Sequence, residues 1–108
     1  MNWIKIDSQD HIDILIERSH TKPQVIFKHS TRCSISSMAK NRLERSLVPE
    51  TLDFHILDLI KFRQISNSIA GQFNVHHESP QVLLIVKGDC IYDESHSGID
   101  MDEILEKF

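Results

Sequence analysis

The sequence predicts a single α/β domain built on a mixed sheet, and three observations predict it. Apolar residues switch between helical and strand spacing along all 108 residues. The segments between the first three strand-like runs exceed the dozen residues that a helical crossover needs. The last two runs are joined by a tight turn containing Gly88, as in an antiparallel hairpin. A chain this long supports one core with a radius of gyration of ~13 Å. Its 40% hydrophobic and 26% charged residues are the balance of a folded globule, not of a disordered tail.

The elements follow in order. Ser8 caps a helix whose inner face carries Ile12, Leu15 and Ile16, and Pro23 closes that region. Val25-Ile26-Phe27 is a short, apolar, β-prone run and reads as a buried strand. A polar turn, Lys28 to Cys33, comes next. Ile35, Met38, Ala39, Leu43 and Leu47 then form a helical stripe ended by Pro49. Phe54 to Leu59 is the second strand, and Phe62, Ile65, Ile69 and Phe73 recur at helical spacing. Val82 to Val86 is the third strand and Cys90-Ile91-Tyr92 the fourth, across the turn Lys87-Gly88-Asp89. Met101, Ile104, Leu105 and Phe108 make a short terminal amphipathic helix. Crossovers make the first three strands parallel, and the hairpin adds an antiparallel one. The expected architecture is thus a four-stranded mixed sheet flanked by helices, in the thioredoxin-like order, one of several small α/β sandwiches.

Composition narrows the function. A net charge of -4 and a pI near 5.9 lack the basic excess of a nucleic-acid binder. No apolar run approaches the ~20 residues of a membrane span. The first residues, Met1 to Asp7, lack the basic-then-apolar pattern of a signal peptide, so the cytoplasm is the expected compartment. The seven histidines do not repeat at ligand spacing around the two cysteines, so no structural metal is expected, and His76-His77 reads as a solvated loop pair.

Cys33 is the residue that carries chemistry. It lies after the first strand, where a helix begins. Unpaired N–H groups and the positive end of the helix dipole favour an anion there. The thiolate is the nucleophilic form of cysteine, and a neighbouring cation such as Arg32 favours it. From Lys28 to Arg45 there are five basic residues and only Glu44 against them, while Asp89 to Glu106 holds seven acidic residues and no basic one. Cys33-Ser34-Ile35-Ser36 is a CxxS arrangement, with serine where a dithiol oxidoreductase carries its second cysteine. Without a local resolving thiol, Cys33 can attack a mixed disulfide and hold the transferred group until another thiol removes it. Ser36 is placed to donate to the thiolate, or with Ser34 to cap free N–H groups. Cys90 heads an apolar strand and reads as packing, though spacing alone leaves open a disulfide with Cys33, within the chain or between two chains.

Several segments together resemble one family. Lys28 to Ser36, Arg63 to Ala70, Val75 to Val82 and Ser95 to Ile99 are similar, in this order, to the monothiol bacilliredoxins, the YtxJ-like proteins of bacillithiol metabolism. The resemblance implies a thioredoxin-like fold and removal of bacillithiol, a low-molecular-weight thiol, from S-bacillithiolated client proteins. It implies Cys33 as the attacking thiol, with Pro80 as a cis-proline opposite it and the backbone of Ser79 free to pair with a bound substrate. Bacillithiol would be a co-substrate, with no tightly bound cofactor, and neither nucleic acid nor membrane would be a partner. One departure stands out, for the family's usual motif has proline directly after the cysteine and this chain has Ser34. Read without the resemblance, CxxS equally suits a glutaredoxin- or thioredoxin-like protein using another thiol, or a non-catalytic interaction module.

Overall fold

The computed structural model describes residues 1–108. Its elements run β1 (Ile4–Lys5), α1 (Gln9–Arg18), β2 (Gln24–His29), α2 (Ser34–Arg45), β3 (Asp53–Asp58), α3 (Arg63–Gln72), β4 (Gln81–Val86), β5 (Asp89–Ser95), a 3-10 turn at His96–Gly98 and α4 (Met101–Leu105). The strands form one sheet in the order β1-β3-β2-β4-β5. β3 is parallel to both β1 and β2, whereas β4 is antiparallel to β2 and to β5. The radius of gyration is 12.4 Å, close to the ~13 Å expected from length.

The alternation of β2 builds the core. Val25 and Phe27 face one side of the sheet with Ala39, Leu43, Phe54, Met101 and Ile104. Ile26 faces the other side with Ile12, Leu15, Leu57 and Ile69. Helices therefore cover both faces, α2 and α4 on the first and α1 and α3 on the second. β2 is buried at every position, which is why it reads as an unbroken apolar run until Lys28 and His29.

Three expectations change. The sheet has five strands, not four, because Ile4 and Lys5 pair with His55 and Ile56. Two exposed residues carry no readable alternation. The strand Gln81–Val86 runs antiparallel to its neighbour β2 rather than parallel. The segment from Phe73 to Pro80, at roughly 3.3–3.6 Å per extended residue, is long enough to bring the chain back to the end of the sheet where β3 stopped. The inner face of α2 is Ser36, Ala39 and Leu43, while Ile35 and Met38 are exposed and Leu47 lies beyond the helix at 94% exposure. The hydroxyl of Ser36 occupies a position that an apolar stripe assigns to a hydrocarbon.

Local signals elsewhere are met. The Ser8 side chain accepts the His11 N–H at 3.3 Å and starts α1. Lys87 and Gly88 form the two-residue hairpin, both with positive φ (51° and 83°), as its twist requires. Ser19 at the end of α1 ties that hairpin down, its C=O and Oγ accepting from the N–H groups of Lys87 and Gly88, each at 2.9 Å.

Candidate functional site

Four segments converge where β2 ends. The Leu59 N–H donates to the His29 C=O at 3.0 Å, so β3 and β2 finish together. The turn Ser30–Cys33 closes on itself through the Cys33 N–H and the Ser30 C=O at 3.2 Å. Gln81, the first residue of β4, is in register with Lys28, so Pro80 lies beside the exit of β2. The Ser79-Pro80 peptide bond is cis. The α3 N-terminus, at Arg63, follows within five residues of the end of β3.

Cys33 is the N-cap residue of α2, in extended conformation (φ -113°, ψ 121°), and is partly exposed. Its C=O accepts the Ser37 N–H at 3.1 Å, while no side chain caps the first turn. The N–H groups of the first helical residues are therefore open to an anion at the sulfur. Ser34 begins the helix and is exposed, so the turn forms without the proline usual at that position. Arg32 is exposed and belongs to none of the chain's ion pairs.

Ser36 is placed differently from expectation. It is fully buried, its Oγ accepts the Ser30 N–H at 3.0 Å, and His29 Nδ1 lies 2.6 Å from the same oxygen. The buried hydroxyl has no other partner than the Ser30 N–H, which can only donate, and His29 Nδ1, so Nδ1 is the one acceptor in reach of the Ser36 hydroxyl proton. Ser36 thus fixes the turn before Cys33 rather than offering its proton to the thiolate. Burial, with the nearby Lys40 ammonium, pushes His29 below the ordinary histidine range.

On the other flank, Ser79 lies outside the strands, its N–H and C=O take part in none of the surrounding turn hydrogen bonds, and its Oγ is buried without a partner. The loop carrying it is held by two side chains from the sheet. Gln81 Nε2 donates to the His76 C=O at 2.9 Å. Lys28, fully buried, donates from Nζ to the Ser66 C=O at 3.1 Å and lies 3.2 Å from His77 Nδ1. Neither half of His76-His77 behaves alike, for His76 is exposed while His77 is anchored to this lysine. Burial lowers the Lys28 ammonium to about 8.

The basic segment read from the sequence does not act as one. Lys28 points to the α3 side, Lys40 pairs with Glu44 at 3.2 Å, and Arg42 donates to the C=O groups of His96 and Ile99. The cations left unpaired at this end of the sheet are Arg32, Lys5, Lys61 and Arg63, three of them from other segments. A hydropathy period could not have found these, because only the register of β1 on β3 and the start of α3 bring them here.

Cys90 is excluded as an internal partner. It pairs with Ile85, which pairs with Gln24 at the far end of β2, four residues and ~13 Å from the level of Lys28 and Gln81. A disulfide needs Cα atoms within ~7 Å. Burial pushes the Cys90 thiol up to about 11, and its S–H donates to the Tyr92 C=O at 3.3 Å. The largest cleft, about 640 Å³, lies at that same far end, between the N-terminus and residues 48–54.

Solved structures that superpose on this chain share the thioredoxin fold. A structure described as a candidate oxidoreductase with a thioredoxin fold superposes with a TM-score of 0.85 at 31% identity, over 96% of this chain and 91% of the other. Thioredoxin from Plasmodium falciparum gives 0.76 at 13% identity over 98% and 97%, and Malassezia sympodialis thioredoxin 0.75 at 15% over 98% and 90%. The more distant pair shares the fold alone. No helix is long and apolar enough to cross a membrane. Residues 4–104 match the sequence model of the monothiol bacilliredoxin BrxC, and the chain therefore belongs to the monothiol bacilliredoxin family, as a thiol redox protein of thioredoxin fold.

Proposed function

We propose that this chain removes bacillithiol from S-bacillithiolated proteins in the cytoplasm, with Cys33 as the attacking thiol. The single observation that carries the reading is a partly exposed Cys33 at an uncapped helix start, on the same end of the sheet as the unpaired backbone of Ser79. The Cys33 thiolate attacks the bacillithiol sulfur of a client mixed disulfide. The Cys33–bacillithiol S–S bond forms as the client S–S bond breaks, and the client leaves as a thiolate that takes a proton from water. A second bacillithiol molecule, as thiolate, then attacks the held bacillithiol sulfur, giving bacillithiol disulfide and restoring the Cys33 thiolate. Arg32 and the N–H groups of Ser34, Ile35 and Ser36 stabilise the charge on sulfur. Ser79 and Pro80 hold the client's extended backbone alongside β4. Bacillithiol acts as a co-substrate, and the CxxS arrangement with Cys90 out of reach makes an external thiol the resolving partner.

The test is to incubate the reduced protein with an S-bacillithiolated protein and weigh the products. The expected result is release of the client thiol and a transient bacillithiol adduct on Cys33, both lost in Cys33→Ser. A wild-type protein that leaves the client fully modified would overturn the reading.

A further inference from the structure

On the side of the active turn away from Pro80, the parallel strands end in a cleft of about 310 Å³. Its polar lining is Lys5 from the end of β1, His29 from the end of β2, Thr31 from the active turn, and Asp58 and Lys61 beyond β3, over an apolar floor that includes Ile56. His29 is only 7% exposed. Because Ser36 donates its proton to Nδ1, the imidazole carries its own N–H on Nε2, and Nε2 has no partner in the chain. The His29 side chain lines this cleft, and its Nε2, which is not among the enclosed unpaired atoms of the chain, is open to an acceptor held there. Lys5 and Lys61 stand outside every ion pair of the chain. The one carboxylate present, Asp58, spends Oδ1 on the N–H groups of Ile60 and Lys61 in its own turn. Donors thus outnumber acceptors, and two of them carry positive charge.

We infer that this cleft is the subsite for the carboxylates of the low-molecular-weight thiol that Cys33 takes up. This rests on the exchange reaction proposed above and adds to it the residues that choose the thiol. Thr31 is two residues from Cys33, so its Cα is within about 7 Å of the Cα carrying the sulfur. A thiol bonded to Cys33 can lay an anionic end against Lys5, Lys61, Thr31 Oγ1 and His29 Nε2, while a client protein occupies the Ser79 side. The two flanks of the turn then serve the two halves of the mixed disulfide.

The experiment offers the reduced protein two symmetrical disulfides, bacillithiol disulfide, whose malyl groups carry carboxylates, and neutral bis(2-hydroxyethyl) disulfide. In each case the Cys33 thiolate attacks one sulfur, a Cys33 mixed disulfide forms, and the other half leaves as a thiolate, so no further oxidant is needed. Intact mass gives the rate of each adduct. The expected result is a wild-type preference for the carboxylated disulfide that shrinks with added salt. The doubly substituted Lys5→Gln, Lys61→Gln protein should lose about fivefold in rate toward that disulfide with no change toward the neutral one. If the substitutions slow both equally or neither, while wild-type Cys33 still accepts bacillithiol, the subsite is wrong and the exchange reading stands. If wild-type Cys33 accepts no bacillithiol at all, both readings fall.

Discussion

Acidification should unfold this protein through one buried histidine at the end of the sheet opposite Cys33. His55 is 2% exposed, and its Nε2 lies 2.7 Å from Gln24 Oε1. The Gln24 amide nitrogen is oriented by two acceptors, Asp53 Oδ2 and the Lys22 C=O, both at 2.9 Å. His55 must therefore carry its proton on Nε2 and present a bare Nδ1 to His11 Nε2, 2.9 Å away. A second proton on His55 would place a charge in the core and require His11 to turn from donor to acceptor. Burial accordingly holds its pKa near 4, against 6.5 for a free histidine, with the His11 charge adding to the effect. As pH falls below 6.5 the unfolded chain takes up this proton and the folded one does not. The stabilising contribution is complete above 6.5, declines through the interval, and is gone below about pH 4, where both states are protonated. At roughly 1.36 kcal/mol per pH unit the loss is about 3 kcal/mol, a large share of the stability of a small domain. The assay is urea unfolding between pH 4 and 7, followed by the fluorescence of Trp3, the only tryptophan, which stacks on Phe27. His55→Asn should start lower at pH 7 and show a profile flatter by about 3 kcal/mol over that range. Parallel profiles for the two proteins would refute the assignment of the charge and of the tautomer.

Cys90→Ala should leave thiol exchange unchanged, and iodoacetamide at pH 7 should label Cys33 alone, since a thiol held at about 11 is ionised in roughly one molecule in ten thousand; peptide mapping reads both. Leu43→Ala should cost about 2–5 kcal/mol by urea unfolding, because Leu43 is fully buried, whereas Leu47→Ala should stay within ~0.5 kcal/mol. Lys28 is held near 8 when folded against 10.5 when free, so the unfolded chain keeps its proton longer as pH rises. Wild-type stability should therefore gain about 3 kcal/mol between pH 8 and 10.5 relative to Lys28→Met, and matching profiles would show the lysine to be solvated.

The sequence made legible whatever depends on one segment at a time. Apolar spacing located α1, β2, β3, α3, β4 and the hairpin, and Cys33 could be placed at a strand-to-helix junction because Phe27 ends one period and Ile35 begins another, although Ile35 itself is exposed in the fold. It could not disclose β1, whose two residues form a strand only by pairing with His55 and Ile56. Nor could it give the direction of β4, which depends on how far the Phe73–Pro80 segment travels after α3. At the site, charge counting put five cations near Cys33, yet three of them are bonded elsewhere; Arg32 stays unpaired, and the cations that share a cleft with the turn residue Thr31 are Lys5 and Lys61, from other segments. Ser36 looked like a partner for sulfur because it lies one turn into the helix. Its side chain instead points inward to His29, a contact between residues that local spacing does not relate.

The two buried polar clusters differ in a way that separates stability from function. At the far end, the charge on Asp53 is met by Arg18 at 2.7 Å and Lys22 at 3.0 Å, and Gln24 and His55 complete a chain in which each donor meets an acceptor. At the Cys33 end, Lys28 is buried with only a carbonyl and an imidazole for partners and no carboxylate. An ammonium so placed costs the fold free energy at neutral pH, which its lowered pKa records. Hydrocarbon of similar length would pack in its place without that cost. What only a long donor at this position supplies is a tether from β2 to Ser66 of α3 and to His77 of the loop that carries Ser79 and Pro80. The next residue, His29, points to the opposite face and, through Ser36, ties down the turn before Cys33. Two consecutive side chains at the end of one strand thus hold the two segments that flank Cys33, and the free energy lost by burying Lys28 accompanies that tether.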